Sequence, residues 1–292
     1  MKKSALLFLL ISAFTFAQNS ALEQKINSII KDKKATVGIS ALGIENDFKY
    51  NKNSDKKLPM QSVFKFHIAA AVLDFVEKGK LSLDQKIVLD KSNLLENTWS
   101  PLRDKYPTGN AGIPLSEILE LTVAKSDNNG CDIMLKLLGG PKTVQKFMDS
   151  KGVKGFQIKY NEAEMHRNWN VQYENYSTTQ SAVDVLKKFY EGKLLSRKST
   201  DYLMKVMLST STGLNKMVEQ LPKSTPVARK TGASGKNDAG LTGAENEIAM
   251  VTLPNGKHYA IAVFVSNSIE SDAVNCKIVS DISKAVWDHF YK

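Results

Sequence analysis

A serine becomes a nucleophile when a base stands within one hydrogen bond of its hydroxyl. Ser62 and Lys65 stand three residues apart, a spacing that sets hydroxyl and amine on one helix face. This S-x-x-K spacing occurs three times, at Ser28/Lys31, Ser54/Lys57 and Ser62/Lys65, and context separates the three. The first two lie among charged neighbours. Ser62 instead opens FKFHIAAAVLDFVEKG, the most apolar helical pattern of the chain. A lysine facing a dry core loses hydration, which favours its neutral amine. The helix N-terminus also stabilises negative charge beside the serine. The same pair reads alternatively as an N-capping serine and a snorkelling lysine. Ser126-Asp127-Asn128 offers a second hydroxyl, able to pass a proton, and an Asn128 amide suited to a carbonyl. Alone it also reads as a polar turn closing the preceding helix. Lys230-Thr231-Gly232 offers a cation and a hydroxyl for a carboxylate, with a glycine that lets backbone approach a ligand. Alone it also reads as a strand entering a Gly-rich turn.

These residues need elements to bring them together. ATVGISALGI at 35–44 and FKYNK at 48–52 predict a two-stranded hairpin. Helical patterns then run from 62 to about 207. The apolar helix at 64–79 is apolar on nearly all sides, so it is expected to be deeply buried and to stop at Gly79. LSEILELTVAKS at 115–126 and TTQSAVDVLKKFYEG at 178–192 read as amphipathic helices. Three strands follow, in TPVARKTGASG, EIAMVTLP and HYAIAVFVSN, and the chain closes on a helix in NCKIVSDISKAVWDHFYK. Strands at both ends and helices between them predict a mixed α/β (α+β) fold. It has one antiparallel sheet flanked by helices, with an all-helical domain inserted. The expected division is a helical domain over 58–207 and a discontinuous sheet domain over 18–57 and 208–292. A site is expected in the cleft between them.

Length and charge set limits. A chain of 292 residues can bury a large core without staples. Two cysteines, Cys131 and Cys276, exclude a disulfide framework and a Cys-rich zinc site, and are expected as separate buried thiols. His67, His166, His258 and His289 lack metal-ligand spacing, and His67 reads as a core residue. The formal net charge of +10 raises nucleic acid as a partner, but the lysines are scattered and there are only four arginines. Lys2 and Lys3 precede an apolar run from Ala5 to Phe16, the pattern of a secretory signal over 1–17 with cleavage near Ala17. That run is too short to span a membrane. Without the two signal lysines the mature chain carries about +8. It is expected to be soluble, exported to the periplasm and free of the membrane.

In this order, S-x-x-K, S-D-N and K-T-G resemble the signature of class A serine β-lactamases and penicillin-binding proteins, over essentially all of the mature length. The resemblance implies a Glu on a loop after S-D-N that activates water for deacylation. Asn161-Glu162-Ala163-Glu164-Met165-His166 occupies that place, with Glu162 the candidate and Glu164 its competitor. Ala163 and His166 depart from the commonest form of this loop. NEAEMH, VQYENYS and SDNNGCD instead resemble the PER/VEB-type extended-spectrum branch. His166 could then supply a second contact to the water.

The resemblance further implies a catalytic set of Ser62, Lys65, Ser126, Glu162 and Lys230. Backbone N–H groups of Ser62 and Ala233 would form the oxyanion hole. Either Lys65 or, through water, Glu162 takes the serine proton. Ser126 relays it to the lactam nitrogen, Lys230 and Thr231 bind the substrate carboxylate, and Asn128 binds the side-chain amide. Lys216 is a candidate second cation for that carboxylate, against a reading as a solvated surface lysine. Ala233-Ser234-Gly235, small residues beside Gly232, would leave room for bulky oxyimino groups. The expected substrates are β-lactam antibiotics, the expected form a monomer, and no cofactor or metal is implied. The nearest rival, a DD-peptidase or penicillin-binding protein, would lack the deacylating Glu. A non-catalytic penicillin sensor would keep its acyl group.

Overall fold

The computed structural model describes residues 20–46 and 48–291. The expected signal peptide and its cleavage point lie outside the described residues.

The chain begins with α1 over 20–30, whose Leu22 and Ile26 recur at helical spacing and are both buried. No strand or helix was expected there. The hairpin follows as expected, in β1 (Thr36–Gly43) and β2 (Lys49–Lys52), paired antiparallel from Ile39↔Lys52 to Leu42↔Lys49. Then come β3 (Leu58–Pro59), α2 (Phe64–Glu77), β4 (Lys86–Val88), α3 (Pro101–Lys105), β5 (Gly112–Pro114), α4 (Leu115–Ala124), α5 (Asn128–Leu138) and α6 (Pro141–Ser150). Next are β6 (Phe156–Gln157), α7 (Glu162–Arg167), β7 (Tyr176–Ser177), α8 (Thr179–Tyr190) and α9 (Arg197–Leu208). The chain ends in β8 (Val227–Ala233), β9 (Thr242–Thr252), β10 (His258–Ser268) and α10 (Asp272–Tyr291).

Both ends of the chain build one five-stranded antiparallel sheet in the order β2-β1-β10-β9-β8. Side chains alternate across it, as the strand period of two requires. Tyr259, Ile261, Val263 and Val265 of β10 meet Ile278, Ile282 and Val286 of α10 and Ile26 of α1 on one face. Ala260, Ala262 and Phe264 turn to the other face, toward the helices. There Ser40 of β1 is hydrogen-bonded to Thr179 at the start of α8, at 3.0 Å.

β9 starts at Thr242, five residues before the apolar pattern that announces it. Its first half is polar yet buried, and its two carboxylates and the Asn246 amide N–H have partners. Glu245 pairs with Lys216, Glu247 with Arg229 at 2.7 Å, and Asn246 donates to Pro59 O at 2.7 Å. α2 runs through the middle of the helical layer with every residue from Phe64 to Asp74 buried, which explains its unbroken apolar run. Its chain leaves through Gly79 at φ +68°, a left-handed conformation that favours glycine. Among the described residues no helix is long and apolar enough to cross a membrane.

Candidate active site

Ser62 sits in a single tight turn over Gln61–Val63 that feeds directly into α2. β8 is an edge strand, and its open edge lies against this turn. A Cβ on Gly232 would fall 2.5 Å from Met60 O and 3.2 Å from Ser62 N. The glycine of K-T-G therefore lets strand backbone touch the backbone of the Ser62 turn. It was expected to make room for a ligand; it makes room for the chain itself. Next to it, Ser234 N donates to Ala244 O across the sheet at 3.0 Å. N–H groups alternate along an antiparallel strand, so the Ala233 N–H turns to the open edge, toward Ser62.

Lys65 lies one turn past Ser62, at the start of α2, and is fully buried. Its ammonium donates to Ser62 Oγ at 2.9 Å, to Ser126 O at 2.8 Å and to Asn128 Oδ1, and lies 2.9 Å from Glu162 Oε1. Four oxygens surround three N–H protons, so this nitrogen joins Ser62, Ser126, Asn128 and Glu162.

Ser126 occupies the junction of α4 and α5 at φ +60°, which leaves its carbonyl on Lys65 and its hydroxyl on Lys230. The strain is held by Asp127. Its buried carboxylate accepts from Ser100 Oγ at 3.0 Å, from Leu102 N, and from Gly130 N at 2.7 Å as the N-cap of α5. Asp127 is thus the pin of S-D-N. Asn128 is engaged at both ends of its amide: Oδ1 accepts from Lys65 and Nδ2 donates to Thr98 Oγ1 at 2.6 Å.

Lys230 is buried without trace of exposure and donates to Ser126 Oγ and to Thr231 O, both at 2.9 Å. Burial, and then the charges of Lys65 and Lys216, push its amine well below the ordinary lysine range. Thr231 shares a 2.7 Å hydrogen bond with Thr212.

Glu162 opens α7. Asn161 caps that helix by accepting from Glu164 N at 2.8 Å, and the Glu164 carboxylate returns to Asn161 N at 2.9 Å, a capping box. This separates the two competitors: Glu164 is spent on the cap, and Glu162 reaches Lys65. Asp132 on α5 accepts from Glu162 N at 2.8 Å and from Ala163 N at 3.0 Å. Burial, with the Glu162 charge beside it, pushes the Asp132 carboxyl up to about 6. Behind α7, fully buried Asn175 accepts from Lys159 N and Tyr160 N and donates to Tyr160 O at 2.7 Å.

His166 is exposed and lines, with Glu162 and Asn128, two cavities that flank the carboxylate. One, about 370 Å³, lies toward Leu95–Thr98; the other, about 220 Å³, lies toward Ala233 and Ser234. Ser234 brings its small size to the second cavity, but its hydroxyl accepts from Gly243 N at 2.9 Å and Ala244 N at 3.0 Å. Lys216 is buried beside Thr231, and its ammonium is paired to Glu245, whose own carboxyl burial pushes up. It is neither a surface lysine nor an unpaired cation. Both cysteines are free and buried. Asp132 and Asn175 lie within SDNNGCD and VQYENYS, but sequence reasoning gave them no role, and it did not foresee the Gln61–Gln172 hydrogen bond of 2.8 Å that ties the Ser62 turn to the segment after α7.

This sheet, with a helical layer and a Ser-Lys, Ser, Lys cluster at their junction, defines the serine β-lactamase and transpeptidase class of architecture. The family described as "Beta-lactamase enzyme family" matches residues 21–290. Beta-lactamase VEB-1 of Pseudomonas aeruginosa is 43% identical over 99% of this chain and 98% of its own. Extended-spectrum beta-lactamase PER-1 of the same organism is 38% identical over 97% and 92%. The crystal structure of TLA-3 extended-spectrum beta-lactamase superposes with a TM-score of 0.92 at 50% identity, covering 94% of this chain and all of that one. The chain belongs to the class A β-lactamase family, a hydrolase of the β-lactam amide close to the VEB-1 and PER-1 enzymes.

Proposed function

We propose that the chain opens the lactam ring of penicillins and cephalosporins through an acyl-Ser62 intermediate, and that oxyimino cephalosporins are among its substrates. The observation that carries this reading is the Lys65 ammonium, in contact at once with Ser62 Oγ and Glu162 Oε1. Ser62 Oγ attacks the lactam carbonyl, and its proton leaves either to Lys65, after the ammonium has passed one of its own protons to the Glu162 carboxylate, or through water to Glu162. The oxyanion forms between the N–H groups of Ser62 and Ala233. Ser126, held between Lys65 and Lys230, hands a proton to the departing lactam nitrogen.

Lys230 and Thr231 receive the substrate carboxylate, which supplies the counter-charge that Lys230 lacks. Lys216 reinforces that field from behind its pair with Glu245. Asn128 orients the side-chain amide. Glu162, with His166 at the rim, then activates the water that frees Ser62. The two cavities beside Glu162 and the small Ala233 and Ser234 leave space for branched acyl groups, and the relative named extended-spectrum beta-lactamase PER-1 supports the same spectrum. The enzyme acts as a periplasmic monomer, with its site between a helical domain over 58–207 and a sheet domain formed by the two ends.

Nitrocefin turnover by the mature chain tests this, with Ser62→Ala in parallel. Wild type turns over and the variant falls at least about a thousandfold. Turnover that survives Ser62→Ala would overturn the nucleophile assignment, and an absence of cefotaxime turnover would overturn the spectrum.

A further inference from the structure

Glu245 is a buried carboxylate that the steps above do not use, and it borders the proposed carboxylate site. Across the β8–β9 ladder it faces Ala233, and Glu247 faces Thr231. Directly opposed residues project to the same side of a sheet, so Thr231, Ala233, Glu245 and Glu247 share one face. The segment after α9 packs on that face. There a Cβ on Gly213 would fall 2.8 Å from Thr231 Cγ2 and 3.3 Å from Lys216 Cδ, so the threonine and the lysine stem flank one glycine.

The two glutamates differ in what they hold. Glu247 fastens chain. It accepts from Met217 N at 2.9 Å and from Arg229 at 2.7 Å, and Arg229 in turn donates to Thr212 O at 2.7 Å and to Thr210 O at 3.0 Å. Glu245 holds no main chain through its carboxylate among the described residues; its partner is the Lys216 ammonium. An unpaired cation in a dry interior acts over a long range, whereas a paired one is felt as a weaker dipole. Lys216 is near enough to Lys230 for its charge to count among those that hold the Lys230 amine low.

We propose that Glu245 is a specificity-determining residue: by pairing with Lys216 it withholds that cation from the substrate carboxylate and favours cephalosporins whose C3 arm carries a positive charge. The C3 arm is bonded to the ring carbon next to the one that bears the carboxylate. Whatever holds the carboxylate therefore also meets the arm. Two bare lysines would grip the anion and repel a cationic arm. One lysine beside an ion pair grips the anion less and tolerates the cation. Glu245 acts through Lys216 and touches no reacting atom.

This inference rests on Lys230 and Thr231 as the carboxylate site. Its test is steady-state kinetics with cephalothin and cephaloridine, which share one acyl side chain and carry acetoxymethyl and pyridiniummethyl arms at C3. Glu245→Gln is expected to lower KM for cephalothin about tenfold, with kcat within about threefold, and to leave KM for cephaloridine level or higher. Glu245→Asp, which keeps the charge, should behave as wild type. The double variant Lys216→Met, Glu245→Gln leaves neither charge of the pair buried alone, which guards against a single variant that misfolds. Its KM for cephalothin should lie within about threefold of wild type. A cephalothin KM that holds or rises in Glu245→Gln with kcat intact, an equal fall for both substrates, or a rise of about tenfold in the double variant would overturn the proposal. Thr231→Val separates the two readings. If it leaves the cephalothin KM unchanged, the carboxylate lies elsewhere and the underlying reading fails together with this one. If it raises that KM while Glu245→Gln changes nothing, this inference alone fails.

Discussion

Ser62 and Glu162 meet across one lysine amine, yet the molecule holds them by opposite means. The Ser62 side is set by packing. Met60, Val63, Phe64 and Phe66 are all fully buried, and the turn leans on the backbone of Gly232. The Glu162 side is set by polar contacts. A six-residue helix is fastened by Asp132, by the Asn161–Glu164 capping box and by Asn175. Packing in a close-fitted core is insensitive to pH and fails through cavities. Hydrogen-bonded carboxylates are sensitive to pH and fail when one partner is removed. Acylation and deacylation should therefore respond to different insults.

Phe66→Ala should have the largest effect. Phe66 meets Phe189 edge to face at 5.3 Å, and its truncation should cost about 3–5 kcal/mol in chemical denaturation. The ratio of acylation to deacylation in the folded fraction should stay as it was; a collapse of deacylation alone would break the contrast. Asn175→Ala should come next, at about 2–3 kcal/mol, because it strands buried backbone donors of Lys159 and Tyr160. Here deacylation should fall further than acylation in single-turnover kinetics, and equal falls would count against a separately fastened Glu162 side.

Two of the buried lysines sharpen the same contrast. Lys65 has Glu162, whereas Lys230 has no carboxylate within ion-pair distance among the described residues. With its amine pushed below the ordinary range, Lys230 is charged at low pH and turns neutral as pH rises, before a free lysine would. KM for an anionic β-lactam should accordingly climb about tenfold on the alkaline side, below pH 10.4. A KM that stays flat to that pH would show that Lys230 does not carry the substrate carboxylate. Ser234→Ala should be mildest, about 1 kcal/mol of stability through the lost bonds to Gly243 and Ala244. A large rise in KM with no loss of stability would place that hydroxyl on substrate instead.

What could be read from the sequence was whatever lies close along the chain. Ser62 and Lys65 share a helix face, and K-T-G is contiguous, so residue types and spacing suffice. The hairpin, α2 and the three C-terminal strands follow from periodicity. The fastening residues do not, because Asp132 and Glu162 are thirty positions apart and an isolated Asp on an amphipathic helix reads as solvated. The first half of β9 was hidden because Glu245, Asn246 and Glu247 look like a loop until Lys216, Pro59 and Arg229 supply their partners. Lys216 was read as a candidate cation for a substrate carboxylate or else a solvated surface lysine; it is buried, and its charge is shared with Glu245. α1 carries its pattern in Leu22 and Ile26, too short a stripe to stand out beside the signal-like run before it.

The central claim is that Ser62 is acylated and that Glu162, through water, sets it free. Intact-protein and peptide mass spectrometry of Glu162→Ala, mixed with a cephalosporin and quenched over time, tests it most directly. The account predicts rapid, stoichiometric gain of the acyl mass on the peptide containing Ser62, persisting long after wild type has returned to the free enzyme. An adduct on another residue, or a variant that releases its acyl group as fast as wild type, would contradict it.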